Sequence, residues 1–134
     1  MRPTEPHLLI ADDDRDFRES LSEVFLRRGY STQLAADGHE ALEIVQSTHV
    51  LHLILLDVHM PRLTGIQALE QIRQNQEEAL PCILMSAKFD DKIVQQAEQL
   101  DTSSLLSKPF TLRDLTGTVE RILQHAYGWS VDYS

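Results

Sequence analysis

Four large aliphatic residues in succession, Leu53-Ile54-Leu55-Leu56, run straight into an acid, Asp57, and on through Val58-His59-Met60-Pro61. A continuous apolar run this short, closed by turn signals at Pro61 and Gly65, predicts a central strand of a parallel sheet covered on both faces. In open α/β sheets ligands bind just beyond the carboxyl ends of the strands, so Asp57 is expected at the mouth of a crevice. Considered alone, Asp57 also fits a helix cap, since Asp is a common turn and cap residue.

The same pattern recurs along the chain. Leu8-Leu9-Ile10-Ala11 ends in Asp12-Asp13-Asp14, after which Phe17, Leu21, Val24 and Phe25 are spaced for one face of a helix, with Asp14 as N-cap and Gly29 as stop. Residues 30–36 read as a short strand, and Asp37-Gly38-His39-Glu40 resembles a capping box opening a helix with Ala41, Leu42 and Val45 inward. Thr64 with Gln67 starts a helix whose inner face carries Ile66, Leu69 and Ile72, and Pro81 restarts the chain into the strand Cys82-Ile83-Leu84-Met85, which ends in Ser86. Asp90-Asp91 opens a helix containing Ile93, Val94, Ala97 and Leu100. Leu105-Leu106 reads as the last strand, ending at Lys108-Pro109, and Thr111 caps a final helix with Leu112, Leu115, Val119 and Ile122 on one side. Strict alternation of five strands with five helices predicts an α/β fold: a flavodoxin-like, doubly wound parallel sheet with helices on both faces and strand order 2-1-3-4-5. Residues 1–126 are expected to form this one domain, and 127–134 a C-terminal tail or linker stub.

A chain of 134 residues can bury a real core without disulfide or metal staples. Twelve Lys and Arg against 21 Asp and Glu give a formal net charge of -9, which argues against a nucleic-acid or anionic-membrane surface. The single cysteine, Cys82, excludes a disulfide framework and is expected to pack as a small hydrophobe. No stretch is long and apolar enough to cross a bilayer, and the start lacks the apolar core of a secretory signal, so a cytoplasmic location is expected.

The residues at the C-terminal ends of the strands are Asp12 and Asp13, Asp57, Ser86 and Lys108, and the fold predicts that they share one rim. Three carboxylates brought together raise one another's pKa, and a single lysine cannot neutralise all three. A divalent cation is implied, and magnesium, or manganese in its place, suits an oxygen-lined site that leaves positions open to water or a phosphoryl group. No calcium-loop pattern appears, nor any Cys and His cluster at zinc spacing; His49 and His52 make an HxxH pair, but they flank a strand start and are expected at the surface. A metal-bound carboxylate beside a lysine and a serine hydroxyl meets the needs of a transferable phosphoryl group, with Asp57 as nucleophile. Each residue also has a plainer role, as cap, strand end or solvated charge, but their gathering at four strand ends favours a site.

These residues resemble the receiver domain of two-component response regulators. The likeness covers most of the chain and rests on Leu8-Leu9-Ile10-Ala11-Asp12-Asp13-Asp14, on Leu55-Leu56-Asp57-Val58-His59-Met60-Pro61 with Gly65, on Ser86-Ala87, and on Lys108-Pro109-Phe110. The resemblance implies that Asp57 takes a phosphoryl group from a phosphohistidine on a sensor histidine kinase or phosphotransfer protein. It implies that Asp13, Asp57 and the backbone carbonyl of His59 bind the metal, with Asp12 acting mainly through water, and that Ser86 and Lys108 contact the phosphoryl oxygens. It further implies a cis Lys108-Pro109 peptide, and lifetime control of the phosphoryl group by His59 and Lys88. The implied switch is a movement of Ser86 that changes the surface of the fourth helix, fifth strand and fifth helix, through which a downstream target or a second copy binds. The fifth-strand position that usually carries Tyr, Phe or His is Leu105 here, so an aromatic rotamer change coupled to Ser86 is not available. Such a protein is a signalling domain and not a turnover enzyme. Two other readings stay open: a degenerate receiver acting as a phosphorylation-independent binding module, and a magnesium-dependent aspartyl-phosphate phosphohydrolase. The latter class usually places a second acid two residues beyond the nucleophile, where this chain has His59.

Overall fold

The aliphatic runs form the middle of the sheet, as their composition demands. The computed structural model describes residues 5–75 and 80–129. Its elements are β1 (His7–Ala11), α1 (Arg15–Arg27), β2 (Ser31–Ala35), α2 (Gly38–Ser47), β3 (Leu53–Asp57), α3 (Gly65–Asn75), β4 (Cys82–Ser86), α4 (Asp91–Gln99), β5 (Ser104–Ser107) and α5 (Leu112–Tyr127). The strands lie in the order β2-β1-β3-β4-β5, all pairs parallel, which is the predicted doubly wound, flavodoxin-like arrangement.

The two-residue period of a strand divides each aliphatic run between two layers. Leu8, Ile10, Leu53, Leu55, Ile83 and Met85 pack with Leu21 and Phe25 of α1 and with Leu115, Val119 and Leu123 of α5. Leu9, Ala11, Ile54, Leu56, Cys82 and Leu84 pack with Ala41, Val45, Ile66, Leu69, Ile72 and Ala97 of α2, α3 and α4. Every residue of β3 and β4 is buried, so a strand there must be apolar throughout until it leaves the core. Cys82 is one of these buried residues, and burial pushes its thiol up to about 12.

Local chemistry sets the helix starts. Asp14, Asp37, Asp90 and Thr111 each accept a backbone N–H from three residues ahead, and Thr64 and Gln67 bond each other's N–H reciprocally. At α2 the expected box is only half made: Glu40 turns instead to the N–H of Ala36, the first residue past β2, at 2.9 Å. Leu112, expected inward, is 54% exposed. The buried face of α5 follows the four-residue row Leu115, Val119, Leu123, and the three-residue step back to Leu112 falls off it.

His52 corrects another expectation. It is half-buried rather than at the surface: its Nδ1 accepts the His7 N–H at 2.9 Å, and its ring meets Tyr127 and Trp129 at centroid distances of 5.6 and 4.7 Å. Desolvation, with His7 adding to it, holds His52 below its ordinary pKa. His49 is exposed as expected. The contacts of His52 exist because α5 runs on through Ala126 and Tyr127, into a stretch without an evident sequence pattern. Gly128 then takes a left-handed turn and Trp129 stacks on Tyr127. Residues 130–134 of the predicted tail lie outside the described residues. No helix among the described residues is long and apolar enough to cross a membrane.

Candidate functional site

Parallel register brings the strand ends together. Ala11 lies opposite Leu56, so the residues that follow them, Asp12 and Asp57, leave the core side by side. Asp12, Asp13 and Asp57 each offer a carboxylate oxygen within 4.8 Å of the other two. Asp12 is fully buried and Asp57 is 5% exposed, whereas Asp13 faces solvent. Asp12 Oδ1 accepts the Asp14 N–H at 2.9 Å. Its other oxygen accepts Lys108 Nζ at 2.6 Å, and the same ammonium lies 3.6 Å from Asp57 Oδ2. Lys108 comes from the loop after β5, where the Lys108-Pro109 peptide is cis.

One ammonium among three acids leaves the cluster overcharged. Burial, reinforced by the charge of Asp12 and opposed by Lys108, pushes the Asp57 carboxyl up to about 6. The donors are all hard carboxylate oxygens within reach of one ion, and the residual negative charge is what a divalent cation offsets. That set fits magnesium or manganese and fits no sulfur- or nitrogen-seeking metal. Among the described residues no other group of three or more His, Cys, Asp or Glu side chains could hold an ion, so His49 and His52 join none.

The loop after β3 is closed tightly. Val58 N–H donates to the Met85 carbonyl at 2.8 Å, Gly65 N–H to the Val58 carbonyl at 3.0 Å, and His59 N–H reaches Asp57 Oδ1 at 3.4 Å. A Cβ on Gly65 would collide with the Asp57 carbonyl, so only glycine lets α3 begin there. The other end of the loop is pinned by Arg62, whose guanidinium pairs with the buried Asp37. The Glu40 N–H, followed by the Arg62 charge, holds Asp37 below the usual carboxylate range against the pull of desolvation.

Ser86, at the end of β4, is fully buried and bonded to the backbone of Lys88. Its Oγ donates to the Lys88 carbonyl at 2.8 Å and accepts the Lys88 N–H at 3.1 Å. The side chains of His59 and Lys88 are exposed on either side, and Leu105 is half-buried beside Leu84 on the α2, α3, α4 layer. The sequence reading missed two residues around this site. Arg18 Nη1 donates to the Asp12 carbonyl at 2.6 Å, and the Phe17 ring lies 4.4 Å from Lys108 Nζ. Both sit in the first turns of α1, where the pattern signals only an amphipathic helix; the acid run just before them was the available hint.

The chain matches the family described as the response regulator receiver domain over residues 8–120. The response regulator MprA of Mycolicibacterium vanbaalenii is 36% identical over 119 residues, covering 87% of this chain and 50% of that protein. The probable transcriptional regulator ycf27 of Cyanidium caldarium is 38% identical over 120 residues, covering 88% of this chain and 46% of that protein. The chain thus spans about half the length of these curated relatives. Among solved structures, the receiver domain of Francisella response regulator 1452 superposes with a TM-score of 0.81 at 29% identity, covering 90% of this chain and 98% of that one. The chemotaxis protein CheY4 of Vibrio cholerae does so with a TM-score of 0.81 at 28% identity, covering 88% and 98%. The expected exclusion of nucleic acid finds no support here, since one relative is named a probable transcriptional regulator. The match over residues 8–120, a span that contains the strand-end acids, Ser86 and Lys108, makes this chain a member of the response regulator receiver domain family.

Proposed function

We propose that the protein is a signalling receiver in which Asp57 accepts a phosphoryl group from the phosphohistidine of a histidine kinase or phosphotransfer protein. The observation that carries this reading is one lysine ammonium set between Asp12, at 2.6 Å, and Asp57, at 3.6 Å, in a three-acid cluster. An Asp57 oxygen attacks phosphorus; the new O–P bond forms as the P–N bond breaks, and its electron pair returns to the imidazole nitrogen. Asp13, Asp57 and the backbone carbonyl of His59 would hold a magnesium or manganese ion, with Asp12 supporting it, and the ion would supply charge compensation for the transferring group. Lys108 exchanges its carboxylate partners for a phosphoryl oxygen, and Ser86 gives up its bonds to Lys88 to donate to another. Water later attacks the acyl phosphate, and the exposed His59 and Lys88 flank its approach. Nothing is turned over but the domain's own aspartate.

The switch follows from Ser86. Its release frees the N–H and carbonyl of Lys88, two residues before the Asp90 cap of α4. The change then reaches the α4-β5-α5 surface through that loop and the packing of Leu105, with no aromatic rotamer involved. A downstream protein or a second copy would read that surface, in the cytoplasm where a kinase would meet it. Control of transcription, named for one longer relative, is the kind of output such a domain could govern.

Incubation with magnesium and acetyl phosphate, followed by intact mass measurement, tests the chemistry. One phosphoryl mass is expected on the parent and none on Asp57→Asn; labelling that survives the substitution would overturn the reading. Amide exchange through α4 is expected to change on phosphorylation, and an unchanged α4 would remove the proposed switch.

A further inference from the structure

We propose that Phe17 is a positioning residue that sets where the Lys108 ammonium sits; this rests on the acyl-phosphate reading above. Among the described residues, Lys108 Nζ contacts Asp12 Oδ2 at 2.6 Å, Asp57 Oδ2 at 3.6 Å and the Phe17 ring, with its centroid at 4.4 Å. The first two are carboxylates that a phosphoryl group and its cation would recruit, so their hold on the lysine changes during the reaction. The ring carries no net charge and competes for neither. Its negative face attracts the ammonium throughout.

Phe17 is itself fixed. It is half-buried one helical turn past the Asp14 N-cap, and that cap accepts the Phe17 N–H at 3.2 Å. The ring meets Phe110 edge-on at 5.8 Å, so it is clipped to the loop that delivers Lys108. The next residue, Arg18, ties the same turn to the Asp12 carbonyl. Lysine has four side-chain torsions and loses much freedom when held in one place. A rigid aromatic face at the side of the ammonium confines that freedom before any phosphoryl group arrives. Leucine at this position would fill much of the same volume but offer no negative face.

The test compares phosphorylation rates with acetyl phosphate and magnesium for the parent, Phe17→Leu and Phe17→Tyr, and for Lys108→Met with and without Phe17→Leu. Phe17→Leu is expected to slow phosphorylation about three- to tenfold, and Phe17→Tyr to restore it to within about twofold. In the Lys108→Met background Phe17→Leu is expected to add nothing, because the ring acts through the ammonium. In the protein without metal or phosphodonor, the Lys108 ε-methylene protons are expected upfield of ordinary lysine by the Phe17 ring current, and back to ordinary values in Phe17→Leu. An unchanged rate in Phe17→Leu, an equal loss in the Lys108→Met background, or unshifted lysine signals would each overturn the role of Phe17. A parent that takes no phosphoryl group overturns the acyl-phosphate reading itself, even where the ring-current shift is present, and the two failures are thereby told apart.

Discussion

In the metal-free protein, Asp57→Asn is expected to stabilise the fold at neutral pH and to leave it almost unchanged in acid. Asp57 titrates at about 6 in the folded protein against an ordinary value of 3.8, chiefly because it is buried and faces Asp12. The folded state therefore keeps the proton longer than the unfolded chain. The stability tied to this group is present below 3.8, is lost as pH rises between the two values, and is gone above about 6. A difference of about two in pKa, at about 1.4 kcal/mol for each, sets a ceiling of ~3 kcal/mol. The rim is open on the Asp13 side, and screening there brings the expected gain of the variant to about 1–2 kcal/mol at pH 7.5 or so. Asparagine keeps the shape and an oxygen that can accept the His59 N–H, so the comparison isolates charge. Urea unfolding at about pH 4 and about pH 7.5, without divalent ions, measures it: a gain at the higher value that shrinks to within about 0.5 kcal/mol at the lower is the expected result. Magnesium should recover stability in the parent by mass action and do much less in the variant. A variant that is less stable at neutral pH, or a gain that does not depend on pH, would refute the claim that crowded charge is held at this rim.

Three further substitutions or treatments probe the frame around the site. Gly65→Ala places a methyl group against the Asp57 carbonyl and is expected to cost about 1–3 kcal/mol in urea unfolding while slowing phosphorylation. Cys82 is fully buried with its thiol pushed up to about 12, so a thiol reagent at mildly alkaline pH should label it only at the rate of unfolding; prompt labelling in native buffer would contradict its position in the core. Arg73 donates to the Leu80 carbonyl at 2.6 Å and the Leu100 carbonyl at 2.8 Å, tying α3 to the start of β4 and the end of α4. Arg73→Ala is expected to lower stability by about 2–3 kcal/mol, and Arg73→Lys, which lacks the fork, to recover less than half of it.

The parts of the fold that were legible from sequence are those in which one residue's neighbours in the chain decide its fate. Leu53-Ile54-Leu55-Leu56 reads as a strand buried on both faces and is one, and the acid after it, for which a helix cap was the alternative, marks the end of that strand. Asp14, Asp90 and Thr111 cap their helices through bonds to N–H groups three residues ahead, which local pattern captures. Where the deciding partner is distant, the pattern is silent. His52 is drawn inward by Tyr127 and Trp129, which arrive at the far end of α5. Its strand end predicts Lys108 at the rim, but nothing near it in the chain points to Phe17, and nothing near Asp37 points to Arg62. Leu112 and Glu40 show a subtler limit: both belong to the elements expected of them, and each is turned to a different neighbour by the row of the helix or by an unpaired strand end.

The same contrast explains how a switch can work with Leu105 in place of an aromatic ring. A helix can shift cheaply only if little of it is committed to the core, and α4 has one buried residue, Ala97, where α3 has five. Ile93, and Leu100 at its C-cap, pack against the core only half-buried. The start of α4 hangs on the loop whose Lys88 backbone is bonded at both N–H and carbonyl to Ser86. Drawing the Ser86 hydroxyl toward a phosphorylated Asp57 removes two hydrogen bonds from that loop at once, a change of about 1–3 kcal/mol in the free energy that favours one loop conformation. Under the proposed switch, a bias of that size would act more readily on a lightly docked helix such as α4 than on one anchored like α3. On the proposed reading the coupling would reside in the serine and its loop, and a rotating side chain on β5 would not be required for it.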